Sequence, residues 1–395
     1  MNVGETLQLD IHDVAVKGGV ARHEGEVVFV PYTIAGERVR AKVVVRRKNF
    51  VEAELVEVIA PSPHRVTPRC PYFGPRPAAP NTPMPCGGCQ YQHIAYAEQL
   101  AIKKRQIIAA LQRIGGIAAP PVADPIASPE SFGYRNKVSM EVDPRRGFIG
   151  FHGTDHRTPI DITRCEIAAE PLNQALATYR AAPPPAERPY TLLLRLDSRG
   201  MVGSGHQLLE ETVAGVTLQV PAGGFFQVNR GLVAELVAQV RQRISRAGLR
   251  HLLDAYCGVG LFSIALADQL DSGVGIEFDK HVTVWARKNA RRLGHRHLRF
   301  LEGRVESQMR AALELLPRDK TALLLDPPRA GLSDSAMAAV ISATLPLVVY
   351  VSCDFGTFAR DAKALLAAGY RLLSVQPLDM FPQTVHCEVV GEFAR

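Results

Sequence analysis

From about residue 225 to the end, strand-like and helix-like segments alternate along the chain. HLLDAYCG, GVGIEF, LRFLEG, TALLLDPP, LVVYVSC and RLLSVQPLDM are short apolar runs of strand length. LVAELVAQVRQRI, LFSIALADQL, KHVTVWARKNARRL and GTFARDAKALLAAG lie between them and repeat their apolar residues at helical spacing. Strands apolar on both faces need a helix layer on each side. That predicts an α/β domain over 223–395, a doubly wound, Rossmann-like parallel sheet with ligands outside the carboxyl ends of its strands.

The N-terminal part follows another rhythm. LQLDIHDV, GEVVFVPY, ERVRAKVVVRRKN and FVEAELVEVIA alternate or run β-branched between glycine-containing turns. Five short strands are expected in residues 7–60, forming a small barrel of the oligonucleotide-binding kind over 1–62. Arg40, Lys42, Arg46, Arg47 and Lys48 give it a basic strand, readable as a phosphate-tracking surface or as a charged edge that resists pairing. A central mixed α+β domain is expected over 63–222, with a helix at Ala95–Arg113 and a Pro-rich surface loop, PRPAAPNTPMP.

A formal net charge of +7 suits a polyanionic partner. No segment approaches the ~18–20 apolar residues of a membrane span, and MNVGETLQLDIHD has no secretory pattern. A cytoplasmic protein without a membrane partner is expected, working as a monomer. Seven cysteines in a chain of 395 residues do not make a disulfide framework. Cys86-x-x-Cys89 with Cys70 and Cys165 has the spacing of a four-thiolate metal site, with zinc and iron–sulfur both open.

In LDAYCGVGLFS, Asp254 ends a strand before a turn through Gly258 and Gly260; Glu277 ends the next strand. The glycines let a ligand approach the backbone, and the second carboxylate is placed for ribose hydroxyls. Ser263 replaces the third glycine of a dinucleotide turn, and an acid precedes the first. This suits S-adenosylmethionine, which has no pyrophosphate and offers an ammonium group, better than a dinucleotide; a nicotinamide dehydrogenase and a non-catalytic RNA-binding iron–sulfur protein with an α/β domain stay open at this point. Asp326 in LLLDPPRAG and Cys353 in VVYVSCD end two further strands, and DMFPQTVHCEVV brings Glu388. Read alone, each is as readily structural: a buried thiol, or edge carboxylates.

Together, FFQVNR, DAYCGVGLFS, LLLDPPRAGL, VYVSCDFGTFARD and DMFPQTVHCE, in this order, closely resemble the RNA uracil-5-methyltransferase family. The resemblance runs over nearly the whole chain, including a TRAM-like barrel and an iron–sulfur segment. It implies that Cys353 attacks carbon 6 of a uracil and Glu388 removes the carbon-5 proton. It implies that Asp326 contacts the uracil or cofactor, that Gln227 lies beside both, and that Tyr256 and Glu277 line the adenosine pocket. It implies S-adenosylmethionine as cofactor and a [4Fe-4S] cluster on Cys70, Cys86, Cys89 and Cys165. The substrate it implies is structured RNA, large-subunit ribosomal RNA first and the tRNA T-loop second. Two positions depart from the family pattern, Leu261 after the glycine turn and Gly303 in LEGR, and a Pro-rich insertion separates Cys70 from Cys86.

Overall fold

The computed structural model describes residues 1–75, 84–205 and 207–395. Most of the Pro-rich loop expected at 75–85 therefore lies outside the described residues.

The N-terminal sheet has six strands rather than five, in the order Thr6–Asp10, Arg38–Arg46, Val51–Ala60, Glu26–Val30, Gly18–His23, Asp13–Ala15. The run LQLDIHDV is two strands, broken at Ile11–His12, and GGVARH is a strand of its own. Glycine hid that strand from a propensity reading. It is required at Gly19, where a Cβ would stand 1.9 Å from Thr33 Oγ1. Alternation sends Leu7, Leu9, Val39, Ala41 and Val43 inward.

The central sheet is antiparallel, in the order Val202–Gly203, Tyr190–Leu196, Lys137–Asp143, Phe148–His152, Pro159–Asp161. The helix Glu170–Ala181 packs Leu172 and Leu176 against Val138, Met140 and Leu194. A hairpin, Leu208–Val213 with Val216–Pro221, buries Val213, Leu218 and Val220 in the same core as the helix Arg230–Arg246.

The C-terminal sheet has seven strands, in the order Leu298–Glu302, Ser272–Glu277, His251–Ala255, Thr321–Leu325, Leu347–Ser352, Glu388–Ala394, Arg371–Leu378. Helices cover both faces, as the double-sided apolar strands require. The alternating pattern implied an all-parallel sheet. One strand departs from this: Glu388–Ala394 runs antiparallel to both neighbours and is inserted between them. No described helix is long and apolar enough to cross a membrane.

The helix Tyr96–Arg113 joins this C-terminal unit. Ile107, Ala110 and Leu111 share one face by helical spacing and enter the core with Phe358 and Leu365. Nearer its start, Gln99, Lys103 and Gln106 are also buried; Gln99 and Lys103 reach the segment before Glu388, whereas Gln106 donates to Val14 O and Tyr91 OH.

Candidate active site

Parallel strands bring their carboxyl ends to one rim. Asp326 follows Thr321–Leu325, and Cys353 follows Leu347–Ser352 next to it. The antiparallel insertion adds the third group. Ser352 pairs with Val389, so the register carries Cys353 opposite Glu388, the first residue of its strand.

The electrostatics agree with this convergence. Burial, then the charges of Glu388 and Asp326, pushes the Cys353 thiol up to about 12. Arg329, from the segment after Asp326, opposes that shift. Burial, reinforced by Asp254, raises Asp326 to about 7, and burial with Asp326 raises Glu388 well above the carboxylate range. No hydrogen bond fixes the Glu388 carboxyl among the described residues, although the residue is only 2 % exposed.

Arg329 and Asp354 complete the rim and were not singled out from sequence. Arg329 Nη2 lies 2.9 Å from the His386 ring; burial and that cation push the imidazole down to about 4, so it stays neutral. Asp354 caps the helix Phe355–Ala367, accepting from Gly356 and Thr357 N–H at 3.0 and 2.9 Å. It fixes the backbone beside Cys353. DPPR and SCD both contained the signal, a charge adjacent to the residue already singled out.

The other end of the rim is formed by Tyr256, Gly258 and Glu277. Tyr256 and Gly258 both take left-handed backbone angles, φ 69° and 54°. Glu277 accepts from Gly258 N–H at 3.0 Å and Asp279 N–H at 2.8 Å, which ties the turn to the second strand. A Cβ at Gly258 would meet nothing within 4 Å, so the turn opens on free space. Asp254, fully buried, accepts from Ser263 N–H and Oγ–H through Oδ2, whereas Oδ1 has no partner. An open glycine turn, an unpartnered carboxylate oxygen and a half-buried Glu277 fit a ligand with an ammonium group and ribose hydroxyls. At Gly303, φ is 140° and a Cβ would stand 2.8 Å from Gln308 Nε2, which explains why this chain carries no side chain there.

Gln227 is buried just before the helix Arg230–Arg246, its carbonyl accepting from Asn136 Nδ2 at 3.4 Å. Asn229 caps that helix and donates to Met380 O at 3.4 Å, linking the Gln227 turn to the segment before Glu388.

Cys70, Cys86, Cys89 and Cys165 all line one cavity of about 250 Å³ between the central sheet and the segments 70–73 and 86–92. Burial raises all four thiols, and the charge of Cys165 raises the other three further. No three His, Cys, Asp or Glu side chains among the described residues are grouped as ligands of a metal ion.

The basic surfaces divide. On the barrel, Arg40 pairs with Glu57 at 2.9 Å and Arg46 with Glu26 at 3.0 Å, while Lys42, Arg47 and Lys48 are exposed without an ion pair among the described residues. Beyond the second strand of the C-terminal sheet, Lys288, Arg291, Arg296 and Arg299 are likewise exposed and unpaired.

Comparison with known proteins agrees with this architecture. The tRNA (uracil-5-)-methyltransferase family model matches residues 212–393, and the TRAM domain model matches residues 1–56. An uncharacterized RNA methyltransferase of Thermosynechococcus vestitus is 31% identical, covering 98% of this chain and 98% of its own. The 23S rRNA (uracil(1939)-C(5))-methyltransferase RlmD of Aeromonas salmonicida is 29% identical, covering 98% of this chain and 95% of its own. A solved structure, the tRNA (uracil-54, C5)-methyltransferase of Pyrococcus abyssi in complex with S-adenosyl-L-homocysteine, shares the fold. It has a TM-score of 0.75 and 23% identity, covering 98% of this chain and 100% of that one. With its TRAM barrel, its α/β sheet and full-length similarity to these relatives, the chain belongs to the S-adenosylmethionine-dependent RNA (uracil-5-)methyltransferase family.

Proposed function

We propose that this protein methylates carbon 5 of one uridine in structured RNA, with 23S ribosomal RNA as its first substrate and the tRNA T-loop as the alternative. The observation that carries the reading is the register that sets Cys353 opposite Glu388, with Asp326 on the adjoining strand end. The ribosomal choice is supported by full-length similarity to an RlmD.

Carbon 5 of uracil is a weak nucleophile. Addition of the Cys353 thiolate to carbon 6 gives an enolate, which makes carbon 5 reactive and splits one hard step into easier ones. S-adenosylmethionine supplies an electrophilic methyl group and a positive charge that favours the ionised thiol and carboxylate. Gln227, Tyr256 and Glu277 orient it, and Asp326 holds the base against the rim. After carbon 5 gains the methyl, Glu388 takes its proton; the C5=C6 bond reforms and the C6–S bond breaks, returning the thiolate. A carboxyl that burial makes hard to ionise is, once ionised, a strong base for that step. The target uridine must leave its stack, at a cost on the order of a few kcal/mol, and basic side chains on the barrel offset this through phosphate contacts.

Glu388→Gln is expected to trap methylated RNA on the protein. With carbon-5-tritiated uridine RNA, a slow-migrating species accumulates on a denaturing gel and tritium release stops. Normal release from the variant would exclude Glu388 as the base.

Cys70, Cys86, Cys89 and Cys165 would hold the four-iron four-sulfur cluster. The four thiols line one cavity of about 250 Å³, room for a centre bridged between them. Methyl transfer to an enolate needs no electrons, so the group's part is structural. Protein prepared without oxygen is expected to contain about four irons and four sulfides per chain, and Cys89→Ser to lose both. Stoichiometric zinc in the anaerobic protein would overturn this assignment.

A further inference from the structure

We infer that Gln383 is a positioning residue for the proton-removal step, clamped by the helix Tyr96–Arg113 and by the turn that carries Cys86 and Cys89. The inference rests on the reading of Glu388 as the base.

Gln383 lies in the segment between the strands Arg371–Leu378 and Glu388–Ala394, five residues before Glu388. It is 3 % exposed and its φ is 69°, the left-handed region that a residue with a Cβ seldom occupies. Such a conformation persists where the surroundings over-determine it, and here every polar atom of the residue is bonded. Its N–H donates to Gln99 Oε1 at 3.0 Å, and Gln99 Nε2 returns a bond to Gln383 Oε1 at 3.0 Å. Its Nε2 donates to Ser131 O at 3.2 Å. Its carbonyl accepts the N–H groups of Gln90 and Tyr91, at 3.0 and 2.9 Å.

These partners come from three places distant in sequence. Gln90 follows Cys89 directly, and Gln90 Oε1 also accepts from Val385 N–H at 3.4 Å. Gln99 is itself fully buried and further tied to Tyr91 O and Ile94 O. An ordinary strand connection needs none of this, since turns are satisfied locally or by water. What the clamp secures is a fixed approach to Glu388. No hydrogen bond aims the Glu388 carboxyl among the described residues, so its direction depends on where the backbone delivers it. A displacement of about 1 Å of a reacting group can cost as much as 100-fold in rate.

The proton-removal step is therefore the one that should suffer when the clamp is loosened. Gln383→Gly keeps the left-handed backbone free of strain while deleting the side-chain bonds to Gln99 and Ser131. Full-length enzyme is given carbon-5-tritiated uridine RNA under single-turnover conditions, and adduct formation and tritium release are timed separately. Release is expected to slow about tenfold, with trapped adduct accumulating, while adduct formation and the KM for RNA stay within about twofold. Gln99→Ala loosens the other half and should act in the same direction. The double variant should be no worse than the worse single, because both remove one clamp.

Equal slowing of formation and release would overturn the inference and leave Gln383 a purely structural residue. Trapping by Glu388→Gln without trapping by Gln383→Gly would overturn it too, while leaving the base assignment intact. Absence of trapping in Glu388→Gln would instead remove the base assignment on which the inference stands.

Discussion

Cys353→Ala is expected to lower methyl transfer by at least about 10⁴-fold, the scale on which enzymes lose rate with a covalent nucleophile. S-adenosylmethionine affinity, measured by calorimetry, should stay within about twofold, because Tyr256, Gly258 and Glu277 belong to the other end of the rim. No RNA–protein species should form on a denaturing gel. The strand that leads to Cys353 is buried along its length, but Cys353 itself is only half-buried, so the shorter side chain leaves no sealed cavity and the fold should survive. Appreciable turnover by the alanine variant would mean that carbon 5 is activated some other way.

The second large effect is on stability. Lys103 and Asp379 are both 0 % exposed, and Lys103 Nζ lies 2.6 Å from Asp379 Oδ1. Lys103 also donates to Phe381 O at 3.0 Å, so it holds two points of the segment that leads to Glu388. Asp379 Oδ2 has no partner. Replacing the lysine by methionine preserves most of the volume but leaves a buried carboxylate uncompensated, at about 3–5 kcal/mol. The single tryptophan, Trp285, packs against the C-terminal core and reports its unfolding in urea. Lys103→Met should shift that midpoint strongly. Adding Asp379→Leu should recover most of the loss, since removing both partners deletes the desolvation cost along with the attraction. A loss below about 1 kcal/mol in the single variant would mean that water reaches Asp379, contrary to its burial.

These two residues mark the boundary of what sequence could disclose. Strands ending in Asp254, Glu277, Asp326 and Cys353 were legible because parallel strands buried on both faces are continuous apolar runs, and chemistry sits at their ends. Cys353 and Glu388 could be named from their motifs, but their register could not. It depends on the strand Glu388–Ala394 entering the sheet between two earlier strands, which no local pattern announces. The helix Tyr96–Arg113 was legible from its apolar spacing. Its other stripe, Gln99, Lys103 and Gln106, reads as a solvated face because burial of such residues depends on distant partners. Gln383 was invisible for the same reason, as its left-handed angle is imposed by atoms from residues 90, 91, 99 and 131.

The inserted strand also sets the order in which the enzyme can assemble. During synthesis, Leu347–Ser352 and Arg371–Leu378 emerge before Glu388–Ala394, yet neither pairs with the other. Until the later segment threads the gap, both offer open ladders to neighbouring chains, a sticky state for a nascent protein. Competence for chemistry and completion of the sheet thus arrive in one event.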